Sequence, residues 1–397
     1  MSGTPQAGLV DLDEASILAD ARECAGLSEF GDEGFREPLA ALLRSLDSEA
    51  RLHAAGREAQ RSRIVDSLVT RLRTEDHISR HPEILSERIE APLFVVGLPR
   101  TGTTLLQRLL ASDPGINALL WWECRSPAPW PDTPWRDGRD PRIDAAHEQV
   151  RVILEAQPEL ASIHPWDPEG PDEEVLLLEH TFLSLVPESG AHLPTYRAWL
   201  TDRDTTPAYT YLHRQLQFLQ WQKRQSSRLG EGWVLKSPCH LAWLEVLFQV
   251  FPDARVVQTH RDPVETIPSI ASMYCSLWRL ATDVVDEHEV GRQCLERFAW
   301  ALDRCLEARR HLPPERFLDV AYADLVADPL EAVRRIHAFA GRELSEDAEA
   351  ALRRAASEHA RENRPPHRYT RERFGFSADG LARHFAGYRS RFRGTIE

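Results

Sequence analysis

Apolar residues recur every three or four positions among charged ones from about Glu14 to Ile84: Leu39, Leu42, Leu43 and Leu46, then Ile64, Leu68 and Leu72. That spacing predicts helices with one buried face. At Ala91 the pattern changes to a short unbroken apolar run, APLFVVG (91–97), which reads as a strand buried on both faces. A glycine and proline turn follows, then a helical stripe over Thr103–Ser112 that stops at Asp113-Pro114. The alternation repeats: strand Trp233–Lys236, helix Leu241–Phe251, strand Ala254–Thr259, helices Asp262–Leu280 and Val290–Leu312, strand Phe317–Val320 and helix Pro329–Phe339. Strands alternating with helices predict an α/β fold, a central parallel sheet covered by helices on both faces, with ligands at the carboxyl ends of the strands.

The chain thus divides into a helical N-terminal extension (1–90) and an α/β domain (91–397). Inside the domain runs a long, less regular insertion, about 115–231, in which Pro127, Pro129, Pro131, Pro134 and Pro141 crowd together with Trp121, Trp122, Trp130 and Trp135. It reads as an ordered loop, either a rigid surface connection or the wall of a substrate site. With 42% hydrophobic residues the chain can bury a large core, and its net charge of −14 argues against a broad field for nucleic acid or anionic membrane. An anionic ligand therefore needs a local site. Met1–Asp13 has no basic segment followed by an apolar run, no stretch of about 18 apolar residues occurs, and the six cysteines are scattered without a CxxC pair. These features predict a cytoplasmic protein without a membrane span. Only Lys223 and Lys236 are lysines, against 46 arginines, so each lysine calls for a reason; Lys223 reads as a surface residue.

The turn after the first strand, GLPRTGTT (97–104), nearly spells the nucleotide P-loop pattern GxxxxGK[ST]. Gly97 and Gly102 hold the glycine positions, but Thr103 stands where the phosphate-binding lysine belongs. That substitution argues against a kinase using ATP and Mg²⁺. Backbone N–H groups at a helix N-terminus can still cradle an anion, with Arg100 for charge and Thr101, Thr103 and Thr104 as hydroxyl donors. A sulfuryl group carries less charge than a terminal phosphate, so such a loop needs no metal. A second site follows at Arg261, which closes a strand, with Ser269 eight residues later on the next helix. Alone, these read as an ion-pair former and a helix-surface serine. Two anion sites on neighbouring strands imply a ligand with two separate anionic groups.

In this order the segments GLPRTGTTLL, WVLKSP, FPDARVVQTHRDPVETIPSI and FLDVAYADLVADP resemble the sulfotransferases that use 3′-phosphoadenosine-5′-phosphosulfate (PAPS), especially the bacterial group related to tyrosylprotein sulfotransferases. The resemblance implies a P-loop-like three-layer fold, PAPS as co-substrate and no metal. It makes Arg100, Thr101, Gly102, Thr103 and Thr104 the 5′-phosphosulfate loop, puts Arg261 and Ser269 on the 3′-phosphate and Tyr322 near the nucleotide, and makes Lys236 the catalytic lysine. Relatives often carry a lysine where Arg368 precedes Tyr369, so the resemblance does not extend to that residue.

Arg100 and Lys236 would neutralise charge on the leaving phosphate oxygen, and a carboxylate or histidine would take the acceptor's proton. Glu123 stands near the family's glutamate and is the expected base. His164, Asp172, Glu173, Glu174 and His180 are the alternatives, with bland readings as a surface histidine, an acidic helix start and a helix-face histidine. The tryptophan-rich insertion suggests a small aromatic or apolar acceptor, sulfated on a hydroxyl or amine. The rivals are a kinase, disfavoured by Thr103, and a nucleotide-binding module without catalysis, disfavoured by the presence of Lys236 and Glu123.

Overall fold

Five strands, β1 (Leu93–Val96), β2 (Ile116–Ala118), β3 (Gly232–Lys236), β4 (Arg255–His260) and β5 (Phe317–Ala321), form one parallel sheet in the order β2-β3-β1-β4-β5. The structure is a computed structural model that describes residues 10–131, 139–163, 165–361 and 369–396. Side chains alternate faces along a strand. Phe94, Val96, Leu235 and Val256 accordingly enter one large core, while Leu93, Val95, Val234 and Val257 enter a second, closed by Leu106, Leu109, Leu110, Val333 and Ile336. Burial on both faces is why these strands read as continuous apolar runs. After β1 the chain leaves for β2 on one side, and after β4 for β5 on the other. The crevice at the carboxyl ends of β1 and β4 is therefore the switch point where such sheets bind ligands.

The helices Glu14–Ala25, Arg36–Ser48 and Ala54–Arg80 of the N-terminal extension share the larger core through Ile17, Leu39, Leu42, Leu68 and Leu72. Arg71 ties them to the domain: its buried guanidinium donates to the carbonyls of Phe30 (2.8 Å), Asp32 (2.6 Å) and His180 (3.4 Å). At the sheet's other side Asp319 receives His260 at 2.8 Å and Arg309 at 2.6 Å. Burial alone would raise its carboxyl, but these two partners hold it well below the usual carboxylate range.

Three sequence expectations need correction. The strand β2 falls in what reads as irregular insertion; it has three residues, and Asn117 fixes it by exchanging side-chain hydrogen bonds with the Gly230 backbone at 2.7 and 3.1 Å. The insertion is also far more helical than expected, with Pro141–Ala156 and the 20-residue Thr206–Gln225. The latter escapes a periodicity search because it buries Gln215, Gln217, Gln220 and Gln222 among its apolar residues. These amides bond backbone carbonyls, Gln217 to Leu85 and Glu87 and Gln222 to Pro127, so their burial is satisfied. The helix expected over Leu241–Phe251 splits into a 3₁₀ turn, Pro238–Ala242, and a helix, Leu244–Val250, because Trp243 leaves helical geometry at φ −134°. Residues 132–138 of the proline-rich stretch, Pro134 and Trp135 among them, lie outside the described residues.

Candidate active site

From Val96 the chain turns through 97–102 into the helix Thr103–Ala111. Gly97 stands at φ +152°, and a Cβ there would lie 2.4 Å from Thr259 Oγ1 and 2.8 Å from Thr101 Oγ1. No larger residue fits, because the turn is pressed onto β4. Arg100 (φ 73°) and Gly102 (φ 87°) are left-handed while Thr101 between them is not. Such alternation points successive N–H groups into one concavity, which the helix N-terminus completes. The Thr101 hydroxyl does not face that concavity: it is buried, donates to the Leu98 carbonyl at 2.7 Å and accepts from Thr259 at 2.6 Å. Its side chain pins the loop to β4 rather than offering the hydroxyl expected of it.

Lys236 ends β3 in ladder register with Val95. Its side chain is wholly buried, with Nζ 2.5 Å from Glu173 Oε1 and 3.5 Å from Thr104 Oγ1 at the start of the loop helix. The Lys236 backbone N–H donates to Glu174 Oε2 at 2.7 Å, and the other Glu174 oxygen lies 2.6 Å from His240 Nε2. Tyr209 closes this row at 2.7 Å from His240 Nδ1. Burial disfavours charge on His240, but Cys239 and the Glu174 carboxylate outweigh it and raise its pKa to about 10. Glu174 is thereby held at both oxygens, by His240 and by the Lys236 N–H, as a rigid shelf beneath Lys236.

Beyond β4, the Arg261 guanidinium covers the Tyr322 ring at 4.5 Å, donates to the Arg100 carbonyl at 3.4 Å and pairs with Glu265 at 2.9 Å. Tyr322 opens the helix after β5, its ring 3.0 Å from where a Gly102 Cβ would stand. Arg261, Tyr322 and the loop thus meet at the β1–β4 crevice. Ser269 is nearly buried, two turns into the helix Pro263–Trp278.

Glu123, the expected base, is not among the residues that line the cavity described below. It is buried, with Oε1 2.6 Å from Lys223 Nζ and Oε2 accepting the Leu120 N–H at 3.1 Å, so both oxygens are committed. Its partner corrects a second expectation: Lys223 is no surface lysine but a buried one, 5.7 Å from the Trp233 ring centre. His180 is buried against Gln215 at 2.7 Å, and burial pushes its pKa down to about 4, leaving a neutral core histidine. His164 lies outside the described residues. Of the acidic cluster, Asp172 and Glu173 border the cavity described next.

That cavity, about 820 Å³, is lined by Pro99, Arg100, Thr103 and Thr104 of the loop, by apolar residues that include Leu160, Trp166, Leu176, Leu185, Met273 and Leu277, and by Gln60, Arg63 and Asp66 from the N-terminal helix Ala54–Arg80. Glu179 accepts a hydrogen bond from Arg63 and lies 3.8 Å from Arg125. Sequence reasoning missed the contribution of Ala59, Gln60, Ser62, Arg63 and Asp66. They lie off the apolar stripe of Ile64, Leu68 and Leu72, and polar positions turned to an internal cavity have the same pattern as ones turned to solvent.

A parallel sheet, an anion-cradling turn after β1 and a lysine at the end of the adjacent strand define a P-loop-type group-transfer fold with a threonine at the kinase lysine position. Residues 92–346 match the family model described as "Sulfotransferase family", and the chain belongs to that family. It is similar along its whole length to the sulfotransferase STF9 from Mycobacterium avium, 31% identical with 100% of this chain and 99% of that one covered, TM-score 0.86. STF1 from Mycobacterium tuberculosis is 30% identical over 94% of this chain and 98% of that one, TM-score 0.81. Among curated proteins, omega-hydroxy-beta-dihydromenaquinone-9 sulfotransferase Stf3 of Mycobacterium tuberculosis is 26% identical over 261 residues, 64% of this chain. The match spans 63% of that relative's length.

Proposed function

We propose that the chain transfers the sulfuryl group of PAPS to a hydroxyl or amine of a largely apolar small molecule, through Lys236 and the loop 97–104. The observation that carries this reading is one cavity lined by Arg100, Thr103 and Thr104, the last beside Lys236, and by a largely apolar set of side chains. The loop N–H groups, Thr103 and Thr104 would hold the 5′-phosphosulfate. Arg261 and Ser269 would hold the 3′-phosphate, with Tyr322 against the nucleotide. Lys236 and Arg100 would stabilise the charge that builds on the leaving phosphate oxygen, where preorganised donors contribute most. Thr103 at the lysine position speaks against the kinase alternative, and a buried lysine at the loop mouth speaks against a module without catalysis. Stf3 is named for a hydroxylated menaquinone derivative, which suits a cavity with a largely apolar lining. No helix among the described residues is long and apolar enough to cross a membrane. Incubation with labelled PAPS and a metabolite extract tests the reading; no labelled product with any fraction rejects it.

Two further outcomes follow from the donor site. On this reading both anion sites would be built from protein donors, the loop N–H groups with Thr103, Thr104 and Arg100 at one and Arg261 with Ser269 at the other. Calorimetric binding of adenosine 3′,5′-bisphosphate should therefore be the same with EDTA as with Mg²⁺. Arg261→Ala should weaken that binding by about 1.5 to 3 kcal/mol, the range for a hydrogen bond to a charged group. It should also erase the preference for the bisphosphate over adenosine 5′-phosphate; a preserved preference removes Arg261 from the 3′-phosphate.

A further inference from the structure

We infer that Glu173 is the general base of the transfer and that its ion pair with Lys236 holds it in reserve until the donor binds. The inference rests on the reading of this site as PAPS-dependent. The neighbouring carboxylates are otherwise engaged. Glu174 spends one oxygen on His240 and the other on the Lys236 N–H, and is wholly buried. Glu123 is spent on Lys223 and Leu120. Asp172 Oδ1 accepts the Glu173 N–H at 2.6 Å, which fixes the backbone from which Glu173 projects. Glu173 itself borders the cavity with 22% of its side chain exposed, and its Oε1 is 2.5 Å from Lys236 Nζ. The acceptor cavity and the leaving-group lysine are thus joined through one carboxylate.

A buried ammonium needs an anionic partner, and without donor Glu173 is that partner. Phosphosulfate entering the loop offers Lys236 a second anion, and the carboxylate oxygen that loses the ammonium gains room for the acceptor's proton. In the step itself the acceptor oxygen, or the nitrogen of an amine acceptor, forms its bond to sulfur with a lone pair. The S–O bond to the 5′-phosphate breaks, its electron pair stays on the phosphate oxygen beside Lys236, and the acceptor proton moves to Glu173. The products are the sulfate ester (or sulfamate), adenosine 3′,5′-bisphosphate and protonated Glu173. Glu173 returns its proton to water through the cavity as Lys236 pairs with it again.

Glu173 then competes with the donor for Lys236 yet is needed for chemistry, so its removal should move binding and turnover in opposite directions. Glu173→Gln should bind adenosine 3′,5′-bisphosphate about five- to tenfold more tightly by calorimetry, within the usual size of a coupling between sites. Its turnover of labelled PAPS with 1-decanol or 2-naphthol as acceptor should fall about 10²-fold or more. Glu173→Asp, which keeps a shorter carboxylate, should fall between wild type and Glu173→Gln on both measures. In a Lys236→Ala background the Gln substitution should no longer tighten the nucleotide, which separates the ion pair from a simple loss of negative charge near an anion. Unchanged or weaker nucleotide affinity in Glu173→Gln, or turnover equal to wild type, overturns the inference. Wild-type protein that fails to bind the bisphosphate overturns the donor reading instead, and the calorimetric arm needs no acceptor.

Discussion

Lys236→Ala is expected to lower sulfuryl transfer about 10²- to 10³-fold, the loss seen when one preorganised donor to a developing oxyanion is removed. The site would spend this lysine at the transition state. In the resting protein its charge is already matched by Glu173 at 2.5 Å, so much of what it could give to ground-state binding is offset by breaking that pair. Nucleotide affinity should accordingly fall far less than turnover. Single-turnover kinetics with saturating PAPS, beside calorimetry of the bisphosphate, separate the two. An equal loss in both would make Lys236 an anchor of the bound nucleotide rather than a group acting on the leaving oxygen. Lys236→Arg should not restore the rate, because a planar guanidinium does not fit the space of a wholly buried, compact ammonium.

Lys223→Met is expected to cost about 3 to 5 kcal/mol of stability, the penalty for leaving one partner of a buried ion pair uncompensated. The partner stranded is Glu123, whose side chain is 4% exposed. Urea unfolding read by tryptophan fluorescence measures the loss, and the double variant Glu123→Gln, Lys223→Met should recover a large part of it because no unpaired charge remains. Glu123→Gln alone should lower stability while the folded fraction keeps its turnover. Full stability with abolished turnover in Glu123→Gln would return the base role to this residue.

The buried pairing of Glu123 with Lys223 marks where the sequence stops being legible. Position after the loop helix and a tryptophan pair suggested a carboxylate at the acceptor pocket, but a salt bridge to a residue 100 positions away cannot be seen along the chain. The same long-range pairing hid the role of Lys223. The turn 97–102 was legible because its features are local: glycines at fixed spacing, a strand before and a helix after. The sheet was legible for β1, β3, β4 and β5, whose residues face two cores, and not for β2, a three-residue edge strand held by one asparagine. The glutamine-rich helix Thr206–Gln225 shows the converse failure, since its polar residues are buried by bonding to loop carbonyls that only the folded chain brings near.

Much of the cavity lining comes from stretches of chain outside the loop 97–104: Gln60, Arg63 and Asp66 from the helix that precedes β1, and the apolar residues from the insertion and from the far end of the helix after β4. On the proposed reading, this is a division of labour written into chain order. Changes at Gln60, Arg63, Asp66 or the lining leucines would alter which molecule is chosen while leaving the activation of sulfate untouched. A lineage built this way can diversify its products by drift in one helix and one insertion. Exchanging residues 54–80 between this chain and a relative would be the economical way to move selectivity from one to the other.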